Sequence, residues 1–492
     1  MRGYRRWPSM TKWLVLLALC AGSTMWPTPA GAAGAPRPAV VTSSTDWPAY
    51  LDGPSHTSDN VADSNITPAN AGSLHQIWHF EPAKPTMSGQ PAGLQASPVV
   101  SGGVIYIGAR TGVFYAINES TGKQLWSQFI GFRPHHTCSA QGIISTATVA
   151  TDPSTGMQVV YVASPDGNLY AMNAANGSVV WKSVIAIPSA TQSDYFDWSS
   201  PTVANGLIYV WISSQCDHPL VRAGEIAFDQ ATGNRLATYY AVPQGIIGAS
   251  IWSSAAVLGD GSIVVTTGNE RQKQLVGDDY SLVHLNGQTM TKIDSWQVPS
   301  AQLPGSDNDF GGSPTPFVGS IDGAPTPLVG ACNKNGYYYA VRQSDFAAGP
   351  VWSLDVSLPF PTDPNQPGQC DAAAAWYGSS LYIGGNGTTI NGTSVVGSIS
   401  RVDPSTGVPI WRTGLPGEVI GSPTLNGAGV LAVPMMGSKT SGDGVAILDA
   451  STGSVLTTIP ASSPVFAQPV FANGMLFIAT SGASGLRAFA PN

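Results

Sequence analysis

The sequence predicts an all-β chain: an eight-bladed β-propeller of four-stranded antiparallel blades, closed by a strand from its own N-terminus. Three observations carry that prediction. One pattern recurs eight times between Ser97 and Phe489. An apolar position in the last strand of each copy recurs seven times, and an eighth lies before the first copy. Charged residues make up only 10% of the 492 residues, while Gly (56) and Pro (39) are abundant, which suits short strands and tight turns rather than long amphipathic helices.

The fullest copies run from Ala96 to Trp126 and from Ser145 to Trp181. Each has a small-residue apolar strand, a V-x-Y-V-like strand, a Gly turn, an L-Y-A-type strand ending in Asn, a T-G or N-G turn and a last strand bearing Trp. Four strands joined by tight turns make one antiparallel sheet. Further copies begin at Ser200, Ser253, Ser313, Ala373, Ser422 and Gln468. The last-strand positions are Trp126, Trp181, Leu236, Trp296, Trp352, Trp411 and Leu456, and the eighth copy stops at Phe489 without its last strand. Trp78, in SLHQIWHF, supplies that strand from the N-terminus, so no long sheet edge is left open. The Trp and Tyr series is expected to pack between blades, and GGNGTT (Gly384 to Thr389), which lacks a strand-to-helix context or a GK[ST], reads as a loop.

Residues 1–32 have the parts of a cleavable export signal: Arg2, Arg5, Arg6 and Lys12, an apolar run from Trp13 to Cys20, and small residues at Ala30-Gly31-Ala32. A Pro- and Ala-rich linker, 33–44, leads into one propeller domain, 45–492. Loss of those four basic residues takes the formal net charge from −8 to −12. With no cluster of Lys and Arg, such a surface repels nucleic acid and anionic lipid. No other apolar run is long enough to span a membrane, so a secreted or periplasmic location is expected.

Cys138, Cys216, Cys332 and Cys370 remain, an even set that suits two disulfides in an oxidising compartment. Three connectivities are possible, and position in the repeat selects one. Cys138 precedes the inner strand of the second blade and Cys216 lies in the second turn of the third; Cys332 ends the second strand of the fifth and Cys370 precedes the sixth. These loop classes open on one face, so Cys138 is expected to pair with Cys216 and Cys332 with Cys370. No CxxCH is present to attach a c-type haem, no HExxH marks zinc, and no Gly-x-Ser-x-Gly elbow marks a serine hydrolase.

The repeated A-hydrophobic-N/D-x-x-T/N-G-x-x-x-W pattern resembles that of the pyrroloquinoline quinone (PQQ) dehydrogenases, the quinoprotein alcohol dehydrogenase-like propellers and their polyvinyl alcohol dehydrogenase-like relatives. The resemblance implies PQQ held over the channel mouth with Ca²⁺ or a lanthanide ion, a small-molecule or polymeric alcohol as substrate, and an external electron acceptor. It places Trp252 as the stacking floor for the quinone and Asn269, in TGN, as an amide oxygen ligand of the metal. It sets Asp307, in SDNDF, as catalytic base and metal ligand, with Asp309 close behind, and Lys334, in NKNGYYYAV, beside the quinone oxygen. The types suit those roles: an indole face takes a flat ring system, a hard cation takes oxygen, and a base next to a cation stays ionised. The sequence departs from the pattern twice. Cys138 stands alone in HHTCSAQGI, where adjacent cysteines cap the quinone, and Gln215 or Asp217 stands where a metal-binding glutamate belongs, Gln215 still offering an oxygen.

Each residue also has a structural reading. Asp307 and Asp309 suit a loop that bonds its own backbone, and Lys334-Asn335-Gly336 suits a tight turn. Trp252 suits blade packing, and Asn269 suits a turn cap. The missing cysteine pair and the missing glutamate favour an alternative function, a non-catalytic binding or scaffold propeller built from the same repeat.

Overall fold

Every repeat carries its own turns, so every repeat folds as its own sheet. The computed structural model describes residues 45–492 except 251, 270–274, 305–306, 360–367, 438–441 and 483. The signal segment and linker expected over 1–44 lie outside the described residues. Eight sheets follow in chain order as blades 1 to 8, their blade strands antiparallel, and the two-residue strand Asp59–Asn60 adds a parallel pair to the sheet of blade 7. Blade 1 is typical, with strands Val99–Ser101, Val104–Gly108, Val113–Asn118 and Gln124–Phe129 running from the channel outward. Blade 8 has three strands of its own, and His75–Phe80 pairs with Leu486–Ala490 as its fourth. The eight-bladed architecture and its closure by the N-terminal strand are those the repeat predicts.

Three sets of contacts turn eight sheets into a ring. Apolar residues fill each blade interface, as where Val99, Phe114 and Ala116 of blade 1 meet Val160, Val162 and Met172 of blade 2. Toward the rim, the last-strand Trp of one blade covers the T-G or N-G glycine of the next. A Cβ on Gly122, Gly177, Gly233 or Gly407 would stand 2.5–2.6 Å from the ring of Trp78, Trp126, Trp181 or Trp352 respectively. Trp78, Trp126 and Trp352 also donate Nε1–H to a carbonyl of that next blade at 2.9 Å, so the ring is fixed in angle as well as buried. Around the channel, Ser97, Thr146, Ser200 and Ser254 each donate their backbone N–H to the hydroxyl of the corresponding Ser or Thr one blade on, at 2.9–3.1 Å. Ala373 does the same to Ser422, and Gln468 of blade 8 closes onto Ser97 of blade 1 at 2.9 Å. The small polar residue at the opening of blades 1, 2, 3, 4, 5 and 7 therefore takes part in an inter-blade clasp.

The stretch from Trp47 to Asn60, polar and turn-rich in sequence, threads the channel and bonds the inner strands that surround it. Trp47 pairs with Val100 of blade 1; Pro48 O accepts from Val149 and Pro54 O from Val257; His56 Nδ1 meets Pro314 O at 2.9 Å; Thr57 O and Ser58 O accept from Trp376 and Leu425. A segment that satisfies so many separate strands must turn sharply, and Leu51, Asp52, His56 and Ser58 all take positive φ. It closes the channel below the face on which the candidate residues lie.

Both predicted disulfides are present: Cys138 bonds Cys216 between blades 2 and 3, and Cys332 bonds Cys370 between blades 5 and 6. One expectation is overturned. Gly384 to Thr389 is not a loop but part of the 11-residue strand Ser380–Ile390, which pairs with Thr393–Val402 in a hairpin that outruns its counterparts in the other blades. Regular cross-strand pairing along both strands overrides the weak strand propensity of the glycines in the segment. No helix among the described residues is long and apolar enough to cross a membrane.

The Trp-on-glycine contact is separable from backbone strain. Gly177 and Gly156 have nearly the same φ, +73° and +74°, but only Gly177 faces a Trp, while a Cβ on Gly156 meets nothing within 4 Å. Gly156→Ala is expected to cost about 1 kcal/mol and Gly177→Ala roughly 2–4 kcal/mol in urea unfolding, the excess being the overlap with Trp126.

Candidate functional site

The loops entering the inner strands and the turns after the second strands share one face of the ring, and blades 4, 5 and 6 bring their polar residues together there. Asp307, Asn308 and Asp309 lie in the loop before the inner strand of blade 5, Thr315–Ile321. Lys334 lies in the turn between Ala324–Cys332 and Tyr337–Arg342 of the same blade. Asn269 follows the second strand of blade 4, Ile263–Thr266, and Trp252 sits in the loop entering that blade.

Lys334 is the hub. Its Nζ lies 2.8 Å from Asp307 Oδ2, 3.4 Å from Asp309 Oδ2 and 4.6 Å from the centroid of a Trp252 ring. Asn269 ties the same carboxylates from the other side. Its N–H donates to Asp309 Oδ1 at 2.5 Å and its Nδ2 donates to Asp307 Oδ1 at 3.1 Å, while its Oδ1 accepts from Asn308 N at 3.1 Å. The turn that carries Lys334 is pinned by its neighbours: Asn333 Nδ2 donates to Asn308 O at 2.8 Å, and Asn335 Nδ2 donates to Gln302 O and Tyr339 Oη at 2.9 and 2.8 Å. Trp252 is stacked on Trp198, with ring centroids 5.3 Å apart and planes 21° apart.

Lys334 and Asp309 are 8% and 0% exposed in their side chains, so their charges interact through protein rather than water. Burial alone would lower the Lys334 pKa, but the carboxylates of Asp309, Asp371 and Asp307 outweigh it and hold the ammonium charged. Burial pushes Asp309 well up, Lys334 opposes, and the carboxylates of Asp307 and Asp217 add to the rise. Asp371, in the loop entering blade 6, is pushed up to about 6, first by burial and then by Asp307 and Glu418 against the pull of Lys334. Three aspartates thus act on one lysine, and a fourth acts on Asp309.

The structure brings Trp252, Asn269, Asp307, Asp309 and Lys334 into one connected cluster. Gln215 and Cys138 sit together on the neighbouring loops of blades 2 and 3: Gln215 Nε2 donates to Ser139 O at 2.9 Å, and Cys138 is bonded to Cys216. Gln215 is the position the sequence offers as a metal ligand, with Asp217 close behind; the charge of Asp217 acts on Asp309, and its Oδ1 accepts from Ser214 Oγ at 2.7 Å. Asp371 and Trp198 were missed. Asp371 follows Cys370 in the same class of loop as Asp307, and Gly311 makes room for it, since a Cβ there would overlap its carboxylate. That positional equivalence was the available signal.

The donor set suits a bound cation better than it suits a closed protein network. Carboxylates outnumber the lysine, and Gln215 Oε1 and Asp371 Oδ1 are buried oxygens with no protein donor. Among the described residues no group of three or more His, Cys, Asp or Glu is already arranged around a metal position, so amide oxygens of Asn269 and Gln215 would have to complete any ligand set. Below Trp252 and Trp198 a cavity of about 210 Å³ extends to Tyr50 of the channel segment and is edged by Ser97, Thr146, Ser200 and Ser254.

Residues 47–258 match the family described as glucose/ethanol/alcohol dehydrogenase, beta-propeller domain, and residues 395–491 match outer membrane protein assembly factor BamB. The quinohemoprotein alcohol dehydrogenase of Comamonas testosteroni is 26% identical over 248 residues, 48% of this chain and 33% of that protein. Its crystal structure superposes with a TM-score of 0.68 at 17% identity, covering 90% of this chain and 80% of that one. A europium-containing methanol dehydrogenase superposes at 0.67 and 16% identity, covering 88% and 89%. The matches span between a quarter and a third of the length of the first three curated relatives. The resemblance to PQQ-dependent dehydrogenase propellers read from the repeat is borne out.

Two outcomes follow from the cluster. Lys334→Met leaves buried carboxylates without their cation and should lower stability by roughly 3–5 kcal/mol, with part recovered in Lys334→Met/Asp309→Asn; a double-mutant cycle in urea measures the coupling. Because Asp371 is raised in the folded state, folded protein holds a proton that unfolded protein has lost between about pH 4 and 6, so this residue makes stability fall as pH rises through that window. Asp371→Asn should flatten that part of the stability profile and raise the melting temperature at pH 7 relative to the parent.

Proposed function

We propose that the chain is an exported PQQ-dependent dehydrogenase that oxidises an alcohol or polyol and passes electrons to an external acceptor. The observation that carries this reading is the convergence of Asp307, Asn269 and Lys334 with an indole face, from separate loops, at the mouth of the channel. Export is supported by the basic-apolar-small pattern of residues 1–32 and by two disulfides.

In this reading Asp307 is the base. Its side chain is 24% exposed, where that of Asp309 is fully buried, and it is ion-paired with Lys334 at 2.8 Å, so it can take the hydroxyl proton of a substrate that approaches from the open face. Lys334 also acts on the reaction itself: a buried ammonium whose charge is secured by three carboxylates opposes negative charge that builds up beside it. Asp309, buried and pushed toward its protonated form, anchors Asn269 and Lys334 rather than competing for the substrate proton. Trp252 supplies the stacking face, and Asn269, Asp307 and Gln215 are the oxygen donors for Ca²⁺ or a lanthanide ion. Bound PQQ would supply the two-electron acceptor. Cys138, joined to Cys216 rather than to an adjacent cysteine, would cover the site from blades 2 and 3.

A second reading, a non-catalytic scaffold propeller, is favoured by the assembly-factor match over residues 395–491 and by the lack of an adjacent-cysteine pair. Reconstitution separates the two. Mature protein incubated with PQQ and Ca²⁺ and then desalted should retain quinone absorbance and reduce a dye with alcohols. Asp307→Asn should keep the quinone and lose on the order of 10²–10⁴-fold in turnover, whereas Lys334→Ala should lose both. Absence of quinone retention at micromolar concentration in the parent protein sinks the dehydrogenase reading.

A further inference from the structure

The overlong hairpin of blade 6 builds something beside the candidate site. Its strands have 11 and 10 residues, against 5 and 6 in blade 1 and 6 and 6 in blade 7. The added length lies at the turn after the second strand, so the hairpin rises on the face that carries Lys334 and stands as a wall opposite the end of blade 5. Between them lies an open groove of about 670 Å³. Asn335, the neighbour of Lys334, lines its inner end, and Tyr337, Asp355, Thr388, Thr389 and Arg412 line its length. That volume falls within the roughly 300–1,000 Å³ of small-molecule sites and exceeds what a short alcohol fills.

The lining has a definite chemistry. Tyr337 is 38% exposed and stacks on Tyr339, with ring centroids 5.9 Å apart and planes 26° apart. Tyr339 is held in turn by Gln302 Oε1 at 3.0 Å and Asn335 Nδ2 at 2.8 Å, so the outer ring has a fixed base and little rotamer freedom left to lose on binding. Asp355 and Arg412 are the charged residues of the lining, opposite in sign and close together, with Arg412 Nη2 donating to Asp355 O at 3.1 Å. The groove therefore carries no net charge to attract an ionic ligand. What remains is an aromatic face and the apolar side chains of Leu354, Leu358, Pro304 and Pro359, flanked by hydroxyl, amide and guanidinium groups, which suits a ligand with apolar C–H faces and many hydroxyls.

We propose that this groove binds the non-reacting portion of a neutral oligosaccharide, with pyranose faces against Tyr337 and hydroxyls on Thr388, Thr389 and Arg412, leading one end of the chain toward Asp307. That oxidation occurs at that end rests on the dehydrogenase reading; binding in the groove does not. The test is calorimetric titration of mature protein, without quinone or added metal, with cellohexaose, maltohexaose, xylohexaose and chitohexaose, the matching monosaccharides, and an oligogalacturonate of the same length. At least one neutral hexaose should bind with a sub-millimolar Kd, its monosaccharide at least tenfold more weakly, and the uronate more weakly still. Tyr337→Ala and Arg412→Ala should each weaken the hexaose at least tenfold without moving the thermal midpoint by more than a few degrees, and Tyr337→Phe should retain affinity. Failure of all four hexaoses at millimolar concentration, equal binding of the uronate, or an unchanged affinity in Tyr337→Ala overturns the proposal. Binding that persists in a protein that retains no quinone would sink the dehydrogenase reading alone, and turnover of short alcohols without hexaose binding would sink the groove alone.

Discussion

The pairing of His75–Phe80 with Leu486–Ala490 is the contact on which the rest of the molecule depends. A blade is stable only between two neighbours, because both faces of its sheet are apolar. Without the N-terminal strand, blade 8 would present an open edge and blade 1 would lose the indole of Trp78 from Gly122. Closure also lets Gln468 reach Ser97, which adds a clasp between the last blade and the first. Loops from blades 2 to 6 then have fixed positions relative to one another, and a site shared among them becomes possible.

That site is electrostatically uneven. Asp307, Asp309 and Asp371 act on a single lysine, Asp217 acts on Asp309, and buried oxygens on Gln215 and Asp371 lack donors. A core selected for stability alone would avoid each of these features. Their concentration on one face, above a channel filled by the threaded segment Trp47 to Asn60, sets that face apart from the contacts that hold the ring together. The disulfides reinforce this division, since each links two blades at the loops of that face.

Where the molecule departs from its own repeat, it does so by lengthening an existing element. The blade 6 hairpin keeps the register of the sheet through Gly385↔Ser398 and then continues outward through Ile390↔Thr393. Extending a paired hairpin keeps its backbone hydrogen bonds satisfied, which a long irregular insertion would not. The resulting wall forms one side of a groove that Asn335, the neighbour of Lys334, also lines.

The repeat made the blades, their number and their closing strand legible, because strand alternation, turn glycines and last-strand Trp residues act over a few neighbours and recur. Position within the repeat also made the two disulfides legible, along with the convergence of Asp307 and Lys334, since loop class decides which face a residue occupies. The threading of Trp47 to Asn60 was hidden, because its partners are inner strands of many different blades, and these do not surround a channel until the ring closes. So was the action of the Asp217 charge on Asp309, which spans loops of two blades. Asp371 shares the loop class of Asp307, but the room for its carboxylate comes from Gly311 on an adjacent blade, not from any residue near it in the chain. By itself the sequence determined the local periodicities and therefore the architecture; only the closed ring decided which charges meet, because those distances are set by packing between blades far apart in sequence.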